Sequence, residues 1–310
     1  MRDHIDSSSI EVDEGRRAFF ATVMAGAFAI GTAGTARAQS TTFTDTDLLV
    51  LALNLEYLVG ELYSYGIYNG PLPSDALLGK GTQGVVVGAR PASIAYTSVN
   101  RFCAEVAVED YFHITFLRNT LRSDVVAQPQ IDLSGGTSGP FTLLARAGGA
   151  IGPDDTFDPY ESAQSFLTAA MVLKDMMVAF YLGIAPLYTN PILRNVALGR
   201  IGGHAYAAGT IRAALYRYGS ADPAVMKRVT GFANAIGALS PSTGYGQSVA
   251  AGTINGQSVA NVTPLDRTGS AYTRSATQTL NLAFLTRAST TFGGFFPNGL
   301  NANLRVSAAL

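Results

Sequence analysis

The chain has 310 residues, 47% of them apolar and 14% charged, enough apolar surface for a sizeable core and too much for a disordered tail. Its 21 basic and 22 acidic residues leave a formal net charge of -1; no basic run or stripe is present to track phosphates, so no nucleic-acid partner is expected. The single cysteine, Cys103, excludes an intrachain disulfide and a cysteine-based zinc site, and its plain reading is a small hydrophobe buried in a helix.

In chain order the first element is a transport address. Arg16-Arg17-Ala18-Phe19-Phe20 open an apolar stretch running to Thr35, and Ala36-Arg37-Ala38 follow as an A-x-A cleavage site before Gln39. The arginine pair followed by x-Phe-Phe resembles a twin-arginine signal, although five acids precede or flank it, Asp3, Asp6, Glu11, Asp13 and Glu14. Residues 1–38 are therefore expected to be a cleaved export signal, with the product periplasmic or secreted; the alternative is an uncleaved anchor, for which a Gly/Ala/Thr-rich stretch falls short of a good ~20-residue span. Cleavage would leave 17 residues of each sign. Twin-arginine export carries folded proteins, which hints at a metal-binding ancestry.

From Thr44 a helix is expected, capped by Thr44 and with Asp45 and Asp47 in the first turn, where the dipole favours anions. Leu48, Leu51, Leu55, Leu58 and Leu62 mark one buried face at spacings of three and four. Gly66, Gly70, Pro71 and Pro73 end it, and residues 66–92 read as a Gly/Pro-rich connection. A second helix is expected over about 93–122, then a long loop over 123–160 broken by Gly135-Gly136, Gly148-Gly149 and Pro153. A third helix spans about 161–183. A fourth starts at Pro191, a suitable first-turn residue, and reaches about Tyr218; a shorter fifth covers about 223–239. The remainder is rich in Gly, Ser and Thr, with a short helix at 275–287 and a local GQSVA repeat at 246–250 and 256–260 that suggests a hairpin. Residues 39–240 are thus read as a helical bundle and 241–310 as an irregular C-terminal segment. Phe284, Phe292, Phe295 and Phe296 are too apolar for a solvated linker, so this segment should pack on the bundle.

The third helix is apolar almost all round from Phe166 to Leu182, with Lys174 and Asp175 at its centre. Two mid-span charges would each cost about 2.5–3.5 kcal/mol in a bilayer, so no transmembrane span is expected in the mature chain. In a soluble protein such a helix is central and buried.

Several segments carry a family resemblance. Leu53-Asn54-Leu55-Glu56-Tyr57-Leu58, His113 to Arg122, Phe157-Asp158-Pro159-Tyr160, Tyr181-Leu182-Gly183 with Ala185-Pro186, and the tail Gly293-Gly294-Phe295-Phe296-Pro297-Asn298-Gly299 resemble, in order, the desiccation-related ferritin-like proteins. The resemblance covers nearly all of the mature chain, and the tail is its most specific part. It implies an all-α fold, a ferritin-like four-helix bundle with long loops, a short fifth helix and the C-terminal segment packed on it.

Ferritin-like dimetal bundles take a Glu from each of two helices and Glu-x-x-His from each of the other two, hard donors that suit iron or manganese. Carried onto this chain, helix one offers Glu56, with Glu61 beyond it, but Val59 where the family has a second acid. Helix two reads Asp110-Tyr111-Phe112-His113, with Glu109 adjacent. Helix three has Lys174 at the position of an expected acid. Helix four has His204 where the Glu would stand and Ala207 where the His would stand. The residual metal-ligand set is therefore Glu56, Glu61, Asp110, His113 and His204, with Lys174 as an internal cation replacing a ligand. An ammonium beside a divalent cation in a low-dielectric core is strongly unfavourable. In the alternative register Lys174 reaches solvent and Asp175 faces inward.

No nucleophile elbow, phosphate-binding Gly loop or Cys-rich metal pattern is present. The expectation is an exported, non-enzymatic protein with a structural, protective or binding role, its link to desiccation and stress implied by resemblance alone. No cofactor is expected, and any partner would be a second copy or an envelope component. The alternative is a metal-dependent oxidoreductase or iron-handling protein using iron or manganese.

Overall fold

A computed structural model of the chain describes residues 43–95, 97–240, 248–254, 256–266 and 269–310. The expected export signal at 1–38 and part of the first GQSVA copy lie outside the described residues.

Seven α-helices occur among the described residues: α1 (Asp45–Tyr68), α2 (Ser98–Leu121), α3 (Pro140–Ala147), α4 (Ala163–Ile184), α5 (Pro191–Ala221), α6 (Pro223–Leu239) and α7 (Ala276–Ala283). Four of them build the bundle, with α1 packed on α2, α4 packed on α5, and α1 against α4. Phe43–Gly252 and Ala260–Leu310 form one unit. The strand Gly252–Ile254 (β3) pairs with Gln257–Val259 (β4) in a separate two-stranded sheet containing part of the second GQSVA copy.

Local chemistry explains most helix ends. Thr44 and Asp47 form a reciprocal capping box at the start of α1, and Asn69 ends it in the left-handed region at φ 60°. Asp45 accepts hydrogen bonds from the Thr189 and Asn190 amides, tying this end to the α4–α5 connection. From Leu48 to Ser64 every residue of α1 is buried. Its one-sided Leu stripe was thus too narrow a guide: a helix enclosed by α2, α4 and the long connections can be apolar on every face. Ser162 caps α4, and Asn190 and Asp222 cap α5 and α6, each of which has Pro in its first turn. By length and composition α4 could cross a membrane, yet 78% of its most apolar window is buried inside the protein.

Three expectations need correction. Helix α2 starts at Ser98, five residues late; Ala92 N donates to Gly66 O at 2.9 Å and Ser93 N to Tyr160 O at 2.7 Å, which tie the stretch before it to the end of α1 and to the turn before α4. The 123–160 loop contains α3, with Pro140 in its first turn and Gly148 as its C-cap. The phenylalanines of the tail divide: Phe284, Phe295 and Phe296 are buried, but Phe292 is 58% exposed. It lies at the turn beside Gly299 (φ 79°), outside the packed face.

The two long connections satisfy each other. Val86–Val87 (β1) runs parallel to Ile131–Asp132 (β2), extended by Lys80 N to Val125 O and Gly84 N to Gln128 O, both 2.8 Å. Asp132 N donates to Phe295 O at 2.9 Å, so the tail caps this ladder and its backbone groups find partners without a large sheet.

Candidate metal centre

The four bundle helices each aim polar side chains at one point. Helix α1 supplies Glu56; α2 supplies Asp110 and, one turn on, His113; α4 supplies Lys174 and Tyr181; α5 supplies His204, with Arg200 one turn earlier lying over the Phe116 ring. Both α4 and α5 pairs obey helical spacing, seven residues and four, which puts each pair on one face. Glu56, Asp110 and His204 are fully buried and Lys174 is 1% exposed.

One ligand atom each from Glu56, His113 and His204 lie within 4.8 Å of one another. Glu56 Oε1 is the hub. It accepts from Tyr181 Oη at 2.7 Å, lies 3.1 Å from His204 Nε2, and 3.4 Å from His113 Nδ1. Lys174 Nζ donates to Asp110 Oδ1 at 2.5 Å and lies 3.4 Å from His204 Nδ1. An ammonium can only donate, so where His204 is neutral its Nδ1 accepts from Lys174 and its Nε2 proton points at Glu56. The Tyr181 ring stacks on His204 with centroids 5.5 Å apart, and Lys174 Nζ sits 5.3 Å from the Tyr63 ring centroid.

The electrostatics follow from burial and partners. Burial works to raise the Glu56 carboxyl, but His204, the Tyr181 hydroxyl and the Arg200 guanidinium outweigh it and hold the group below its ordinary range. At Asp110 burial wins over Lys174, and the carboxyl sits above its ordinary range. Burial and the neighbouring Glu56 carboxylate push the Tyr181 hydroxyl well up, so it stays a donor.

Of the five expected ligands, the structure brings Glu56, Asp110, His113 and His204 together and leaves Glu61 apart. Glu61 stands five residues after Glu56, which turns it to another face of α1. There its Oε2 accepts from the Leu72 amide at 3.2 Å, and burial pushes the carboxyl up to about 7. Lys174 points inward, and Asp175 instead pairs with Arg212 at 2.7 Å. Tyr181 and Arg200 were missed from sequence, although their spacing from Lys174 and His204 was available as a signal.

A dimetal centre does not fit this donor set. Two carboxylates converge, and one of them is already bonded to an ammonium. Val59 and Ala207, at two expected ligand positions, are buried apolar side chains. A single ion has more to recommend it: Glu56 Oε2, Asp110 Oδ2 and His113 Nδ1 are buried without hydrogen-bond partners.

The ferritin-like domain family matches residues 44–217. A desiccation-related protein of Craterostigma plantagineum is 25% identical over 178 residues, which is 56% of this chain and 53% of that protein. The chain thus spans about half the length of the curated relative it matches. No solved structure matches it.

Proposed function

This chain belongs to the ferritin-like domain family, and from that premise we propose that it is an exported, non-enzymatic member with a structural or protective role under drying stress, its dimetal centre replaced by a built-in cation. The observation that carries this reading is the Lys174 ammonium on Asp110 at 2.5 Å within a fully enclosed core. With Lys174 bonded to Asp110 and the Arg200 guanidinium adding its field at Glu56, the site offsets part of its own charge, which is what a metal does in an intact bundle. The desiccation-related relative supports the biological setting, and Arg16-Arg17 with the A-x-A site supports export to the periplasm or beyond.

The test is to incubate the full chain with iron(II) or manganese(II), remove free metal, and measure bound metal per chain together with oxygen and peroxide consumption. The proposal expects far less than one ion per chain and no turnover. Two ions per chain, or sustained consumption of either oxidant, overturns it.

A second reading, a residual single-ion site in a metal-dependent oxidoreductase or iron-handling protein, is favoured by the convergence of Glu56, His113 and His204. Mixed carboxylate and imidazole donors suit iron or manganese. One tightly held ion lost on His113→Ala would select this reading.

A further inference from the structure

Successive side chains on a helix point about a quarter-turn apart, so Asp175, next to the internal lysine, faces a different site. A cavity of about 160 Å³ lies there among α4, α5, α6 and residues 262–265 and 271–274. Its walls are largely apolar, with Val178, Ala208, Ile236 and Val262 among them. Its charged groups are Asp175, Arg212 and Arg274.

The two arginines are not equivalent. Arg212 donates through Nη1 to Asp175 Oδ2 at 2.7 Å. Arg274, 3% exposed, meets no carboxylate within salt-bridge distance among the described residues. Its protein acceptors there are both on Ser240: Nε to Oγ at 3.2 Å and Nη2 to the backbone O at 3.5 Å, the latter at the limit of a hydrogen bond. Nη1 donates to no protein group among the described residues. Asp266, next in sequence to Leu265, accepts from the Ser270 amide and does not line the cavity. Two cations therefore line the wall beside a single carboxylate, Asp175, whose side chain is 20% exposed and is bonded to Arg212. Burial holds Arg274 down to about 10, with Asp175 pulling it only partly back. A largely buried guanidinium with a donor left over at the wall of an apolar cavity is best completed by an anion.

We propose that this cavity binds a small apolar monocarboxylate, whose carboxylate pairs with Arg274 and whose ring or short chain fills the apolar space. The size sets the class: a cavity of about 150 Å³ accepts benzene, so one ring bearing a carboxylate fits and a long acyl chain does not. The charge sets the sign, since a guanidinium fork matches a carboxylate bidentately. A few polar groups on an otherwise apolar wall are the usual make-up of a small-molecule site.

Titration calorimetry of the full chain with benzoate, benzyl alcohol and benzamidine tests this. Benzoate is expected to bind once per chain, with the neutral and cationic analogues at least about tenfold weaker. Arg274→Met should abolish the preference for benzoate. Because that variant removes a buried cation and could unfold, a second one decides independently. Gly209 lines the cavity, and a Cβ there would meet nothing within 4 Å; Gly209→Leu should therefore fill the space, keep the helical fold and block benzoate. The proposal is overturned by failure of benzoate to bind the native chain, by equal binding of benzyl alcohol, or by undiminished benzoate binding to a folded Gly209→Leu.

Discussion

Lys174 Nζ and Asp110 Oδ1 are 2.5 Å apart, the lysine 1% and the aspartate 0% exposed. A pair this deep is held less by its own Coulomb attraction than by the cost of leaving either charge alone, since both have already lost their hydration. Lys174→Met should therefore destabilise the protein by about 3–5 kcal/mol, as it strands Asp110 beside Glu56. Adding Asp110→Asn should return part of that loss, because the amide carries no charge to strand. Urea unfolding of the two variants and the native chain measures both steps. A single variant within about 1 kcal/mol of native would mean that the pair is no more than a surface-like contact.

Glu61 predicts a pH dependence of stability. Its folded-state carboxyl is raised from 4.5 to about 7 by burial, only partly offset by the Leu72 amide and the Gln128 side chain. Between those values the folded state holds a proton that the unfolded state has released, so stability falls as pH rises through that window. The penalty is absent below about 4.5 and complete above about 7, where it approaches about 3 kcal/mol. Glu61→Gln keeps an acceptor for Leu72 and removes the titration. It should match the native chain at pH 4.5 and exceed it at pH 8. Parallel unfolding-energy curves for the two proteins across that range would defeat the assignment.

How far these features were legible depended on range. Thr44, Asn190 and Asp222 announce helix starts through bonds within their own turn, so the starts of α1, α5 and α6 could be read locally. The inward lysine was legible too, because an almost wholly apolar helix leaves Lys174 no short route to water. What failed was what depends on distant partners. A hydrogen bond from Ser93 N to Tyr160 O ties the stretch before α2 to a distant turn, and no local signal carries that. The turn from Glu56 to Glu61 separates two acids that resemblance had grouped. Helix α3 did carry its own punctuation, Pro140 and Gly148, but its eight residues are hidden among loop-forming neighbours.

Export is testable apart from the folded chain. Replacing Arg16-Arg17 by a lysine pair keeps the charge and the apolar stretch while removing the feature by which a twin-arginine signal is read. The precursor should accumulate unprocessed in the cytoplasm. Cell fractionation with mass measurement of the N-terminus decides this, and unchanged processing would sink the route.

The attachment of the C-terminal segment gives a pair of glycine substitutions with opposite signs. Arg274 N donates to Ala179 O at 3.0 Å, bringing this backbone across α4 at Gly183, where an added Cβ would lie 1.8 Å from Arg274 O. A backbone carbonyl cannot rotate away as a side chain can, so Gly183→Ala must push the crossing segment outward. Overpacking of this kind costs about 1–3 kcal/mol, occasionally more, against a gain of about 0.8–1 kcal/mol from replacing Gly by Ala in a helix. The overlap here is severe, so loss should win, with faster proteolysis near residues 262–274 while helical content stays. Gly209→Ala is the control: its Cβ meets nothing within 4 Å, the propensity gain stands alone, and thermal unfolding should move upward. If Gly183→Ala raised stability as Gly209→Ala does, the close crossing of Arg274 over α4 would be wrong, and with it the wall of the cavity that Arg274 lines.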